Sequence, residues 1–169
     1  TLVRFDNLKI SQTIRENPLP IPSSYAPEIK EISIPGNGRD VKVILHRAHN
    51  PEFKIEGPGP VMIRVHGGPT AHKFATAEID YLYWTTRGFT IADVNYGGSS
   101  GYGAKYRHLL YGNWGIVDYE DVLSTVDHLI KSGVANPKQV FISGGSAGGF
   151  TVLNALVHSN IFAAGADYY

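Results

Sequence analysis

The chain has 169 residues, 43% hydrophobic and 18% charged, a composition typical of a globular domain with a buried core. Its 15 basic and 15 acidic residues balance and form no basic run, which argues against binding to nucleic acid or to an anionic membrane surface. It has no cysteine, no visible signal peptide and no apolar run near the ~18 residues of a membrane span, so we expect a cytoplasmic protein without disulfides.

The first 27 residues are expected to form an arm or linker. The short alternating run from Leu2 to Phe5 predicts an edge strand without an obvious partner. Four prolines follow at positions 18, 20, 22 and 27, and prolines this dense favour an extended, non-helical path. Because the chain begins with Thr1 rather than Met, we expect it to be a piece of a longer polypeptide.

Residues 28–169 are expected to form the main domain, which begins with a hairpin. Apolar residues alternate with polar ones in residues 28–34 and again in residues 41–46. The Pro-Gly-Asn-Gly cluster between these runs is typical of a turn, so the two runs predict antiparallel strands. Residues 51–60 are expected to be a loop.

From residue 61 onward, predicted strands alternate with predicted helices. The strands are expected at residues 61–65, 89–94, 140–143 and from 162 onward, with a turn at 136–137. The helices are expected at residues 74–86, 102–110, 118–132 and 150–158. This alternation predicts an α/β fold with a mostly parallel sheet and crossover helices. In such a sheet the active site lies at the carboxyl ends of the strands, where three glycine-rich loops are expected, at residues 66–69, 95–99 and 144–148.

The third of these loops has the pattern Gly-x-Ser-x-Gly, between a predicted buried strand and a predicted helix. That context is typical of a nucleophile elbow, in which the serine has strained backbone angles. Gly144 and Gly148 lie two residues before and after Ser146, where a side chain would clash. The alternative, a phosphate or dinucleotide loop, requires Gly-x-Gly-x-x-Gly or a Lys-Ser/Thr ending, and neither is present. We therefore predict that Ser146 is a nucleophile.

A serine nucleophile requires N–H donors that stabilise the oxyanion. Ala147 follows the serine at the start of the predicted helix and is one expected donor. The loop His66-Gly67-Gly68-Pro69 can supply a second donor, and because Pro69 has no N–H, Gly68 is the predicted residue. The alternative is that this loop is only a tight structural turn.

The catalytic base of Ser146 is harder to assign. In hydrolases with this elbow, an acid and then a His follow the Ser along the chain. Only His158 follows, and on the predicted helix it would lie ~18 Å along the axis from Ser146. His66 is either a base or a residue that shapes its glycine loop, and Asp167 is either the acid or a strand-end residue. The simplest expectation is that the acid and His lie beyond this chain, which alone would be inactive.

Other polar and aromatic residues near the loops have two interpretations each. Asp118 and Asp121 could serve acid–base or metal chemistry, but near a helix start they are better interpreted as capping and dipole partners. Tyr96 either donates its hydroxyl to substrate or packs beside the elbow. Trp114 is expected in the core or in a groove wall rather than as a substrate platform.

Four motifs make residues 28–169 resemble the prolyl oligopeptidase family of serine peptidases, in particular its acylaminoacyl-peptidase and dipeptidyl-aminopeptidase-like branch. The motifs are His66-Gly67-Gly68-Pro69, Asn95-Tyr96-Gly97-Gly98-Ser99-Ser100-Gly101-Tyr102-Gly103, Trp114-Gly115-x-x-Asp118-x-x-Asp121 and Gly144-Gly145-Ser146-Ala147-Gly148-Gly149. The resemblance implies the N-terminal part of an α/β-hydrolase domain, with helices on both faces of the sheet. It also implies a Ser-Asp-His peptidase, with Ser146 as nucleophile and Gly68 and Ala147 as oxyanion donors.

The resemblance further implies a peptide substrate, no metal or organic cofactor, and two partners in the same protein. These are the remainder of the peptidase domain and an N-terminal β-propeller, whose last strand would be residues 1–14. The chain departs from the family at His66, where dipeptidyl peptidases have an oxyanion-donating Tyr, and at Gly97, where Arg is frequent. We expect a peptidase that cleaves short or N-terminally blocked peptides. The alternatives are an esterase on the same fold and an inactive scaffold domain.

Overall fold

The computed structural model describes residues 2–15, 21–54 and 56–169. At the N-terminus, strands β1 (Leu2–Asp6) and β2 (Lys9–Arg15) form an antiparallel hairpin. The prediction that β1 has no partner nearby is therefore wrong. The turn between the strands uses Asn7 and Leu8, with φ of 50° and 62°. Positive φ at both central residues is what a type I′ hairpin turn requires, but no glycine marks this turn in the sequence.

The expected arm is only partly extended. Residues Ser23–Tyr25 form a single 3-10 turn, in which the N–H of Tyr25 donates to the Pro22 carbonyl at 3.0 Å. Proline suits this position because its fixed φ is already close to the helical value. Two of the predicted arm's prolines, Pro18 and Pro20, lie outside the described residues.

The main domain is built on a six-stranded sheet with the strand order β3-β4-β6-β5-β7-β8. The strands are β3 (Ile29–Pro35), β4 (Asp40–His46), β5 (Gly59–Val65), β6 (Thr90–Asn95), β7 (Ala135–Gly144) and β8 (Ala164–Asp167). β4 pairs antiparallel with β3 and with β6, whereas β6, β5, β7 and β8 are parallel to one another. The predicted hairpin and the mostly parallel sheet are confirmed.

Helices connect the parallel strands. They are α1 (Ile79–Thr85), α2 (Ala104–Arg107, followed by a 3-10 turn at His108–Leu110), α3 (Val117–Lys131) and α4 (Ala147–His158). α1 begins five residues later than the predicted start at residue 74. The preceding segment is instead held at the sheet edge, where the backbone N–H and C=O of Lys73 both bond to the Asn95 amide, at 2.8 and 3.0 Å. α4 begins earlier than predicted, directly after the elbow serine.

The elbow strand is longer than its sequence pattern indicates. The predicted turn at Asn136–Pro137 lies inside β7, so it is not a boundary of the strand. The pairing with β5 nevertheless skips there, because Gly59 is opposite Ala135 and Val61 is opposite Val140. Residues 136–139 therefore bulge from the ladder, and the N–H of Lys138 donates to the Asn136 side chain within the bulge. The turn-forming residues shape a bulge rather than a loop.

The core lies mainly between the sheet and helices α3 and α4. Its buried residues include alternate positions of four strands and the inner face of both helices: Val61, Ile63, Val65, Ala92, Val94, Val140, Ile142, Val122, Val126, Leu129, Val152 and Ala155. α1 covers part of the opposite face, where Tyr81 donates to Asp93 at 2.7 Å. Helices therefore lie on both faces of the sheet, as expected. Within the described ranges, no helix combines the length and the apolar composition needed to cross a membrane.

Candidate active site

Ser146 lies at the point where β7 turns into α4. It has φ 56° and ψ −124°, backbone angles that are costly for a residue with a Cβ. The glycines two residues to each side leave no space for side chains. A Cβ on Gly148 would lie 2.3 Å from the Val65 carbonyl oxygen, and one on Gly144 would lie 2.8 Å from the same atom. Close packing of this turn against β5 thus presents the serine hydroxyl at the exposed tip.

A pocket of about 620 Å³ adjoins Ser146 at the carboxyl edge of the sheet. The loop after β5 and the elbow form two of its sides, and Tyr168 and Tyr169 line another. Its lining also includes three basic side chains, Arg64, His72 and Lys73. Of the three glycine-rich loops expected here, two border the pocket, while the loop after β6 lies behind them.

Two stretches of backbone adjoin the serine, the start of α4 and the glycine loop after β5. Ala147 is the first residue of α4, so its N–H has no acceptor inside the helix. Gly67 lies against the elbow, because a Cβ there would be 3.4 Å from Ser146 Cβ and 3.9 Å from the Ala147 nitrogen. Gly68 has φ 123°, and across the described ranges no backbone acceptor receives the N–H of Gly67 or Gly68. The N–H groups of these residues therefore remain candidates for binding a negatively charged oxygen.

His66 supports the glycine loop rather than Ser146. Its side chain is buried, and both ring nitrogens have partners: Nδ1 is 2.8 Å from the Gly67 carbonyl oxygen and Nε2 is 2.7 Å from Ser99 Oγ. Burial lowers the pKa of His66, and the Gly67 carbonyl and Asp93 only partly offset that effect. Of the two interpretations of His66, the geometry favours the residue that shapes the loop.

Tyr96 also supports this loop from behind. Its ring stacks on the His66 ring, with centroids 4.5 Å apart and an angle of 15° between the planes. Its hydroxyl is buried and donates to the Pro69 carbonyl at 2.8 Å, and burial raises the pKa of Tyr96. Of the two interpretations of Tyr96, the geometry favours packing beside the elbow. The sequence did not predict the role of Ser99 as a partner of His66. The one sign of it was that Ser99 lies in the glycine-rich loop at residues 95–99.

Comparison with known proteins adds to this geometry. Residues 75–169, more than half of the chain, match the model of the prolyl oligopeptidase family. The chain belongs to the prolyl oligopeptidase family. Its fold is accordingly the α/β-hydrolase fold, as expected from the resemblance.

Three similar proteins are 34–37% identical to the chain over the residues that align. Dipeptidyl aminopeptidase BIII of Pseudoxanthomonas mexicana is 34% identical over 120 residues, which are 70% of this chain and 17% of that protein. The acylamino-acid-releasing enzyme of Arabidopsis thaliana is 36% identical over 91 residues, 54% of this chain and 12% of that protein. The crystal structure of puromycin hydrolase matches with a TM-score of 0.83 and 37% identity, over 86% of this chain and 22% of that one. The chain thus spans less than a quarter of each of these relatives.

The two aspartates of the third family motif are buried structural groups. Asp118 accepts hydrogen bonds from the Gly115 N–H at 2.7 Å and from Thr151 Oγ1 at 2.5 Å, which joins α3 to α4. Asp121 accepts from the Gly97 N–H at 2.7 Å and from Arg39 Nε at 2.9 Å. Asp118 lies in the first turn of α3, as expected of a capping and dipole partner, and both carboxylates also tie preceding loops to the helix.

Gly97 has no space for the arginine that is frequent at this position in the prolyl oligopeptidase family. A Cβ there would lie 2.7 Å from Val117 Cγ1 and 3.2 Å from Leu109 Cβ. The loop after β6 therefore packs its backbone directly on α3 and on the segment before it. Trp114 is half exposed and packs on Phe150, with ring centroids 5.3 Å apart, so it is not a core residue.

No described histidine forms a hydrogen bond with Ser146. His158 ends α4, as the sequence indicated. Asp167 lies over the first turn of α4, where a Cβ on Gly149 would collide with its carboxylate, and it accepts the N–H of Tyr169 at 3.2 Å. The described part of the chain thus contains the candidate nucleophile and oxyanion donors but assembles no base with them.

The buried His66 predicts a loss of stability in acid. Because the pKa of His66 is lowered in the folded chain, the unfolded chain is protonated at this histidine at a higher pH than the folded chain is. Protonation of the unfolded chain begins as the pH falls toward the ordinary histidine value of about 6.5. The free energy of unfolding that this group contributes is therefore complete above that pH and is lost as the pH falls toward the folded-state pKa. The neighbouring charges of Asp93 and Lys73 act on it in opposite directions. Urea unfolding at pH values from about 7.5 to 5 measures the effect.

We expect His66→Asn to flatten this pH dependence. The matched control is His108→Asn, because His108 is solvent-exposed and should leave the slope unchanged. Equal slopes for the wild-type protein and His66→Asn would contradict the expectation.

Proposed function

We propose that the chain is the nucleophile-bearing part of a serine peptidase and that Ser146 attacks the scissile carbonyl. The observation that carries this proposal is the strained backbone of Ser146 at a strand–helix turn, beside a pocket and against the glycine loop after β5. Membership of the prolyl oligopeptidase family supports it. Elbow geometry is useful for this chemistry because it exposes the hydroxyl without side chains around it.

The reaction would proceed in two halves. Ser146 Oγ bonds to the carbonyl carbon while its proton passes to a base, and the carbonyl oxygen becomes an oxyanion. The N–H groups of Gly68 and Ala147 stabilise that oxyanion. When the carbonyl re-forms, the C–N bond breaks and the base returns the proton to the leaving amine. Water then releases the acyl group from Ser146 by the same steps in the same order.

The base and its orienting acid are proposed to lie outside these 169 residues. Asp167 is not a candidate for the acid in the observed conformation, because its carboxylate faces the start of α4 and the backbone of Tyr169. Residues 28–169 would be the N-terminal part of the catalytic domain, and this part alone would be inactive. Residues 1–27, which include the exposed hairpin of β1 and β2, would belong to a preceding unit, such as the end of a β-propeller.

The proposed substrates are short peptides, including peptides with a blocked N-terminus. The names of the relatives support this class, since they describe a dipeptidyl aminopeptidase, an acylamino-acid-releasing enzyme and a puromycin hydrolase. Each name describes cleavage of a small amide-containing molecule or release of residues from a peptide end. Pocket size also suits a short peptide, because about 620 Å³ lies in the usual range of small-ligand sites.

A fluorophosphonate probe tests the nucleophile in the active protein that contains this chain. We expect one adduct, located by peptide mass analysis on Ser146, and hydrolysis of acylaminoacyl or dipeptidyl anilides. Turnover of short-chain esters without turnover of any anilide would instead identify an esterase. A folded protein that forms no adduct and hydrolyses neither substrate would be an inactive scaffold.

A further inference from the structure

Behind the pocket, the loop after β6 holds the loop after β5. The two loops meet because β6 is the direct neighbour of β5 in the sheet. Tyr96 and Ser99 come from the loop after β6, and neither has solvent-exposed surface. Their partners, His66 and the residues that follow it, come from the loop after β5. The contact between Ser99 and His66 joins residues 33 positions apart in sequence.

The hydrogen bonds of His66 define which ring nitrogen carries the proton. The Gly67 carbonyl oxygen, 2.8 Å from Nδ1, can only accept, so Nδ1 must donate. In the neutral ring Nε2 is then an acceptor, and the hydroxyl of Ser99 at 2.7 Å donates to it. The Gly67 carbonyl thus selects the tautomer, and the Ser99 hydroxyl, which can donate or accept, holds the ring in place from its other nitrogen.

This chain of hydrogen bonds orients a peptide unit that would otherwise rotate easily. The peptide between Gly67 and Gly68 has glycine on both sides, and no Cβ restricts its rotation. In a trans peptide unit the C=O and N–H bonds point in opposite directions. Fixing the Gly67 carbonyl on His66 Nδ1 thus directs the Gly68 N–H away from the imidazole ring. That N–H has no backbone acceptor in the part of the chain that the structure describes.

We propose that Ser99 is a positioning residue for the oxyanion donor at Gly68 and that it acts by holding the His66 ring against the Gly67 carbonyl. The inference rests on the proposed function, since it takes Ser146 as the nucleophile and the Gly68 N–H as a donor to the oxyanion. Ser99 does not line the pocket. Its removal should affect the transition state, in which the oxyanion exists, more than the binding of substrate.

The first test is Ser99→Ala in the active enzyme that contains this chain. Deleting a whole oxyanion donor typically lowers kcat by about 10²–10³, so a misdirected donor should lower it by about 10- to 100-fold. KM should stay within about twofold. The inhibition constant of a peptide boronic acid, which forms a tetrahedral adduct on the serine, should rise by the same factor as kcat falls. Ser99→Thr keeps the hydroxyl and should retain more activity than Ser99→Ala.

The second test separates the two nitrogens of His66. An Asn side chain places an N–H near the position of Nδ1, so His66→Asn can still donate to the Gly67 carbonyl. Gln places its amide near the position of Nε2, so His66→Gln keeps only the contact with Ser99. We expect His66→Asn to retain more kcat than His66→Gln. Adding Ser99→Ala to His66→Asn should cause little further loss, because Ser99 then has no imidazole to orient.

A control separates positioning from a general loss of stability. Thr125→Val removes a buried hydroxyl on α3, which donates to the Asp121 carbonyl at 2.8 Å, and should lower the melting temperature without lowering kcat. If Ser99→Ala and His66→Gln keep kcat and boronic acid affinity within about twofold of wild type, the inference is overturned while the proposed function stands. If the wild-type protein forms no fluorophosphonate adduct on Ser146, the proposed function fails and the inference fails with it.

Discussion

Replacing Ser146 with Ala is expected to lower kcat by about 10⁶ in the active enzyme that contains this chain. Losses of that order follow removal of the nucleophile in serine peptidases, where only substrate binding and the oxyanion donors continue to act. The fold should be unaffected, because Ser146 is at the exposed tip of the turn and Ala keeps the same Cβ. Anilide hydrolysis under single-turnover conditions measures the loss.

The comparison depends on a control with the same chemical change elsewhere. Ser124→Ala is suitable, because Ser124 lies in the middle of α3 and does not line the pocket. It should keep kcat close to the wild-type value. Residual activity of Ser146→Ala above about a hundredth of wild type would mean that another group performs the attack. A loss of melting temperature in Ser146→Ala but not in Ser124→Ala would mean that the serine has a structural role.

Much of the sheet could be predicted because its signals are local. The alternation in residues 29–34 and 41–46 and the turn between them lie within one stretch of chain, and both strands are observed. The elbow is equally local, since five consecutive residues and their flanks carry the whole pattern. Helix α3 was also placed to within a residue at each end, because its apolar positions recur at helical spacing.

The errors occurred where distant residues decide the conformation. Residues 74–78 have a helix-like composition, but the preceding residue, Lys73, is held by the side chain of Asn95, 22 positions away. The role of Ser99 depends on β6 lying next to β5, and no short motif contains that information. β2 was missed for a different reason, because the turn before it uses Asn7 and Leu8 rather than a glycine.

Replacing Gly148 with Ala is expected to cost about 4 kcal/mol of unfolding free energy or to prevent folding, a loss reserved for severe steric conflicts. The new Cβ would lie 2.3 Å from the Val65 carbonyl oxygen and 2.9 Å from that of His66. Both are backbone atoms at the end of β5, a central strand paired on both sides. Relief would require either β5 or α4 to move as a unit, because no flexible side chain can give way.

Gly133→Ala separates this collision from the general effect of replacing a glycine. Gly133 precedes β7, has φ 72° and has nothing within 4 Å of an added Cβ. Gly133→Ala should lower the free energy of unfolding by only about 1 kcal/mol, which is the cost of placing an alanine at positive φ. Urea unfolding of both variants measures the difference. Equal costs would show that β5 and α4 can separate at the elbow, in which case the strained angles of Ser146 would have to be maintained by contacts other than this packing.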